Sequence, residues 1–109
     1  MNLDDVAYEL HQTATEKGFW DKCGDGDFIF YAKQLCMIHS EVTEAMEAIR
    51  KDQGDEKFVE ELADIIIRVL DLYAGISDRT IGGLPSLQEV LEHKANINKD
   101  RPRLHGVRG

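Results

Sequence analysis

Apolar residues recur every three or four positions through most of this chain, and that recurrence predicts four helices. The first spans Leu3 to Lys17, with Asn2 placed to cap it and Asp4 and Asp5 favourably set against the helix dipole. Gly18 supplies a C-terminal stop. The stretch Gly18 to Asp27, GFWDKCGDGD, reads as a loop because Gly and Asp dominate it, and it holds the sole tryptophan, Trp20, beside Phe19. A second helix is predicted from Phe28 to Lys51. Phe28, Tyr31, Leu35, Ile38, Val42, Ala45, Met46 and Ile49 form its apolar stripe, with Glu41, Glu44 and Ala48 along one border. Asp52 to Asp55 makes a turn, with Asp55 available to cap the third helix.

The third helix is predicted over Glu56 to Tyr73, carrying Phe58, Leu62, Ile65, Ile66, Val69, Leu70 and Tyr73. Its β-branched run Ile65-Ile66-Ile67 admits a buried strand, but the length of the periodic segment and the short polar turn before it favour helix. Glu61, Asp64, Arg68 and Asp71 draw one polar line along it. Gly75 to Pro85 reads as a second loop, and Ser86-Leu87-Gln88-Glu89 is a capping box that opens a fourth helix with Val90, Leu91 and Ile97. Pro102 ends regular structure. The expected fold is all-α, an antiparallel bundle of about four helices in a single domain over residues 1–109.

Composition changes this picture in two ways. A chain of 109 residues that is 42% hydrophobic builds only a modest core, so completion by assembly as a homodimer or homotetramer is expected. A formal net charge of −8 argues against a nucleic-acid coat or an anionic-membrane binder. The charge is uneven: after Glu92 come Lys94, Lys99, Arg101, Arg103 and Arg108 against Asp100 alone, a basic C-terminal end with a tail over about residues 100–109. Cys23 and Cys36 form no C-x-x-C unit, and Cys36 in its apolar run reads as a small core residue. No signal-like start and no membrane-length apolar run is present, so a cytoplasmic protein without membrane contact is expected.

The chemistry lies in two carboxylate pairs, Glu41 with Glu44 and Glu61 with Asp64. Residues three apart share a helix face, so antiparallel packing of the two helices would bring four acids together. Such pairs usually form solvated faces or pair with lysines. Here Glu41, Glu44 and Glu61 have no Lys or Arg four residues on, and only Asp64 has one, in Arg68. A cation is the economical partner. Neither His11, His39, His93 nor His105 follows a Glu by three, which removes the di-iron pattern. His39-Ser40-Glu41 lacks the P-C-x-x-C that zinc deaminases need, and no G-x-x-x-x-G-K-[ST] loop occurs. All-oxygen ligands leave Mg²⁺ or Mn²⁺.

This combination resembles the MazG-like branch of the all-α nucleoside triphosphate pyrophosphohydrolases. The likeness covers Gly18 to Arg101: GFWD, then IHSEVTEAMEAIR, then EELADIIIRVLDL, with Lys94, Asn98 and Arg101 similar to the family's downstream lysine, asparagine and arginine. The resemblance implies Mg²⁺-dependent cleavage of a nucleoside triphosphate between its α- and β-phosphates, in nucleotide-pool control or sanitation. Glu41, Glu44, Glu61 and Asp64 would be catalytic metal ligands, with Glu44 also a candidate for activating water. Lys94, Asn98 and Arg101 would clamp phosphates, Trp20 would stack on the base, and His39 would hydrogen-bond in the pocket. The alternative from another class is a non-catalytic helical interaction module whose acidic face binds a basic partner.

Overall fold

A computed structural model describes residues 1–103 and contains four helices: α1 Leu3–Glu16, α2 Phe28–Arg50, α3 Asp55–Asp78 and α4 Leu87–Lys99. Among the described residues there is no strand, so the isoleucine run is helical. α3 is the central element. α2 meets it antiparallel across the four-residue turn 51–54: Ala48 and Phe58 flank the turn, Glu41 meets Arg68, and Tyr31 packs with Leu72 near the far end. α1 also runs antiparallel to α3, with Tyr8 bonded to Ser77 and His11 to Asp71. α4 packs on α1.

The local signals account for most helix ends. Asn2 Oδ1 accepts from the amides of Asp4 and Asp5 at 2.8 and 3.3 Å. Asp27 caps α2 by accepting from the Phe30 amide at 3.0 Å, and those backbone bonds hold its carboxyl below the usual range. Asp55 does not cap α3; it is the first helical residue, and Gly54 at φ +95° makes the entry without a side-chain bond. An acid there still meets the positive end of the helix dipole.

Two departures from the sequence reading have clear causes. α3 does not stop at Tyr73 but continues to Asp78, with Gly75 inside it. That glycine is a contact point, not a breaker: a Cβ there would lie 2.2 Å from Trp20 Cη2. The apolar stripe of α2 also divides. Tyr31, Ile38, Ala45 and Ala48 face inward, whereas Phe28, Leu35, Val42, Met46 and Ile49 are exposed, as are Val59, Leu62, Ile66 and Val69 on α3. Cys36 lies on the exposed side, not in the core, and both cysteines are free.

The core is therefore narrow. One cluster holds Ala7, Leu70 and Ala74 with Val6, Leu10, Tyr73 and Leu87; the other holds Trp20, Tyr31 and Leu72 with Phe30, Ile38 and Ile76. α4 contributes no buried residue. It is held by its N-terminus: Asp4 accepts from the Ser86 hydroxyl and, at 3.0 Å, from the Gln88 amide, while Leu3 N–H donates to Gln88 Oε1 at 2.9 Å. Ser86 in turn caps Glu89 N–H at 3.2 Å. α4 ends at Lys99, so Arg101 falls beyond the helix and only Lys94 and Asn98 share its face. No described helix is long and apolar enough to cross a membrane. Residues 104–109, with His105 and Arg108 of the basic tail, lie outside the described residues.

Candidate metal and substrate site

The α2–α3 seam sets the site. On α2 it runs through Tyr31, Ile38, Glu41, Ala45 and Ala48, and on α3 through Phe58, Glu61, Ile65, Arg68 and Leu72, all at helical spacings of three, four or seven. Glu41 and Glu61 thus stand on the packed seam itself, not at its border. Carboxylate oxygens of Glu41, Glu61 and Asp64 lie within 4.8 Å of one another. Glu44, on the exposed rim, falls outside that closest set, but the charge of Glu41, then burial, then Glu61 push its carboxyl above the usual range. All four predicted acids therefore share one neighbourhood.

Their existing partners were only partly legible. Lys57 Nζ reaches Glu61 Oε1 at 2.9 Å, four residues back along the helix instead of four on. That hydrogen bond, and then the charge of Glu61, hold the Lys57 ammonium above its usual range. Arg68 Nε donates to Glu41 Oε1 at 2.8 Å across the seam, and not to Asp64 or Asp71. One group stays uncompensated: Glu61 is 5% exposed, and its Oε2 has no hydrogen-bond partner among the described residues. A buried carboxylate oxygen left in this state costs about 1–3 kcal/mol or more. Two carboxylates about 4.8 Å apart repel by roughly 3 kcal/mol at an effective dielectric near 20. An orphaned buried oxygen among hard oxygen donors fits a divalent cation of the Mg²⁺ type.

A cavity of about 690 Å³ opens from Glu41 and Asp64 into the groove between α1 and α2, floored by α3. Leu10, Thr13 and Ala14 line it from α1, and Lys33, Gln34 and Met37 from α2. Ile67, Arg68 and Asp71 form the floor, with Lys17 and Phe19 at the loop side. The volume is within the about 300–1,000 Å³ usual for small-molecule sites.

The other predicted binding residues are placed elsewhere. Trp20 is 3% exposed, and its Nε1–H donates to both Asp71 oxygens at 3.0 and 3.2 Å. Its ring is edge-on to His11, tilted against Phe30 and covered by the Arg79 guanidinium at 4.6 Å, so neither face is open to a base. Asp71 is engaged by that indole and by His11 Nδ1 at 2.8 Å, not by the acid cluster. His39 is exposed on α2. It precedes Glu41 by two residues, about 200° around the helix, and so faces away from the seam. Lys94, Asn98 and Arg101 are exposed, and none of them lines the cavity. The cationic side chains that do are Lys17, Lys33 and Arg68, and the loop aromatic that does is Phe19. The spacing Lys33, Met37, Glu41 carried that signal for α2. No family model, curated protein or solved structure matches the chain.

Proposed function

We propose that the chain is a nucleoside triphosphate pyrophosphohydrolase dependent on Mg²⁺, with Mn²⁺ an acceptable substitute. The observation that carries this reading is the orphaned, buried Glu61 Oε2 within an oxygen cluster that also contains Glu41 and Asp64. Glu41, Glu61 and Asp64, joined by Glu44, would hold the cation. When bound, it supplies neutralisation of phosphate oxygens and lowers the pKa of an attached water. In the reaction a water oxygen bonds to the α-phosphorus, the bond from that phosphorus to the α–β bridging oxygen breaks, and a monophosphate and pyrophosphate depart. Glu44, open to solvent beside Glu41, is left to orient that water and take its proton. Arg68 holds Glu41 in place, and Lys57 holds Glu61. The adjoining cavity gives the rest of a nucleotide somewhere to lie. Sequence likeness to the MazG-like branch supports the same assignment, and nucleotide-pool control in the cytoplasm is the role that follows.

The reading includes assembly as a homodimer or homotetramer. The surface of this 12.4-kDa chain is 8301 Å², about a third more than the about 6,100 Å² a compact monomer of that mass exposes. The radius of gyration, 16.3 Å, likewise exceeds the about 13 Å of a compact chain of this length. The excess includes two apolar stripes, Phe28, Leu35, Val42, Met46 and Ile49 on α2 and Val59, Leu62, Ile66 and Val69 on α3, an area suited to a partner helix pair.

A panel of ribo- and deoxyribonucleoside triphosphates with Mg²⁺ tests the activity. Pyrophosphate release that is abolished in Glu61→Gln, with helix content intact, is the expected result. A folded, Mg²⁺-saturated protein that releases none from any triphosphate overturns the enzyme reading and leaves an acidic interaction module.

A further inference from the structure

Arg68 is only partly used by the contact that places it. Its Nε donates to Glu41 Oε1 at 2.8 Å, which takes one of the five N–H donors of a guanidinium. The four on the terminal nitrogens have no partner among the described residues. The side chain is 37% exposed and lines the cavity of about 690 Å³ together with Glu41 and Asp64. Anchorage through Nε restrains the guanidinium and leaves uncommitted its terminal pair, an edge that meets phosphate in two parallel bonds.

The cluster also has two distinct ends along the seam. α2 and α3 run antiparallel from the turn 51–54, so Glu44 lies on the turn side of Glu41, where the charges of Glu61 and Lys57 reach it. Arg68 lies on the other side, about 6 Å of helix beyond Asp64 and about 10 Å beyond Glu61. Toward the turn the seam is closed by the buried Ala45 and Ala48; toward Arg68 it opens into the cavity. In an in-line displacement the attacking and leaving oxygens lie on opposite sides of the phosphorus. With the attacking water at Glu44, the leaving oxygen faces the end that carries Arg68.

Resting on the proposed activity and on water activation at Glu44, we propose that Arg68 is a catalytic residue: its terminal nitrogens bind the departing pyrophosphate while its Nε keeps Glu41 in place. As the bond from the α-phosphorus to the bridging oxygen breaks, the electron pair stays on that oxygen and leaves with the pyrophosphate. A guanidinium already anchored beside it offsets that charge with little reorganisation.

Inorganic pyrophosphate is the probe, because it carries no base or sugar and the proposed reaction leaves it intact. Mg²⁺ is titrated into the full chain, and pyrophosphate then into the Mg²⁺-saturated protein, both followed by calorimetry. Arg68→Lys separates the two roles, since its ammonium still reaches Glu41 but offers no planar fork. The expected result is Mg²⁺ affinity within about twofold of the parent and pyrophosphate affinity lower by about tenfold or more. Circular dichroism should show unchanged helix content, because the side chain is partly exposed. Equal pyrophosphate affinity in the two proteins, or none in the parent, overturns the contact and leaves Arg68 a support for Glu41. So does a variant whose Mg²⁺ affinity falls by the same factor as its pyrophosphate affinity. Arg68-dependent pyrophosphate binding without turnover of any triphosphate overturns the activity, and the catalytic role with it, while the anion contact stands.

Discussion

Gly75→Ala is the sharpest probe of how this small core is built. In an exposed helix interior the change stabilises by about 1 kcal/mol, because alanine loses less backbone entropy than glycine. At this position the new methyl would meet three Trp20 ring atoms at 2.2, 2.4 and 2.7 Å, against the about 3.5–4.0 Å of a favourable carbon contact. The ring has no free direction of retreat: Phe30, His11 and Arg79 surround it, and its N–H is tied to Asp71. Overpacking of this kind costs about 1–3 kcal/mol. Losing a hydrogen bond to a charged group costs about 1.5–3 kcal/mol more. After subtracting the propensity gain, a net loss of about 1.5–5 kcal/mol is expected, a fall in Tm on the order of 10–25 °C for a chain of this size. Thermal and urea unfolding followed by circular dichroism measure it, and the sole tryptophan should report the displacement as red-shifted emission. Trp20→Leu in the same chain should recover part of the loss, giving a coupling energy of about 1 kcal/mol or more. A Gly75→Ala protein as stable as the parent would refute the packing argument.

Three further outcomes follow from the seam, the caps and the apolar faces. Removing one charge from the acid cluster with Glu61→Gln should raise the stability of the metal-free protein by about 1 kcal/mol and abolish the upward Tm shift expected of the parent on adding Mg²⁺; a lower metal-free Tm would contradict it. The Ser86 hydroxyl, working against partial burial, holds the Asp4 carboxyl below its ordinary value of 3.8. Its stabilising effect is thus complete above that value and lost as pH falls through the lower folded one. Amide protection in α4, taken relative to the intrinsic exchange rate at each pH, should fall over that acid window, and Asp4→Asn should show lowered protection already at neutral pH. Sedimentation should find more than one copy per particle, and Met46→Glu with Ile66→Glu, at positions 60% and 56% exposed, should give a folded monomer. A parent that sediments as a monomer would remove the assembly argument.

The helices and the pairing of the acids were legible because each rests on short-range spacing. Asn2 and Ser86 marked helix starts, the turn 51–54 forced α2 and α3 to run antiparallel, and antiparallel packing brought Glu41 to Glu61. What was not legible depends on contacts between distant segments. Gly75 resembles a breaker until Trp20, fifty-five positions earlier, is placed against it. Trp20 and Phe19 are adjacent in sequence, yet one is buried and the other exposed, and only the loop's path decides which. Whether Leu35 or Ile38 faces the core depends on the angle of α2 against α3, which a single apolar stripe does not encode. Lys57 stands four residues before Glu61, so a partner four residues on does not reveal it.

The bonds from Leu3 and Asp4 to Ser86 and Gln88 join positions 82 to 85 apart and, with Leu87 packed on the core and its N–H bonded to the Tyr73 hydroxyl, hold the start of α4. They close a ring around nearly the whole chain, and such long closures form only after the intervening elements have already packed. A closure of this length predicts that α4 docks last in folding and releases first, an order that pulsed amide exchange during refolding would check. Weakening its clasp should hasten unfolding while leaving the folding rate almost unchanged. The amino terminus thus acts as a kinetic lock on the carboxy-terminal helix.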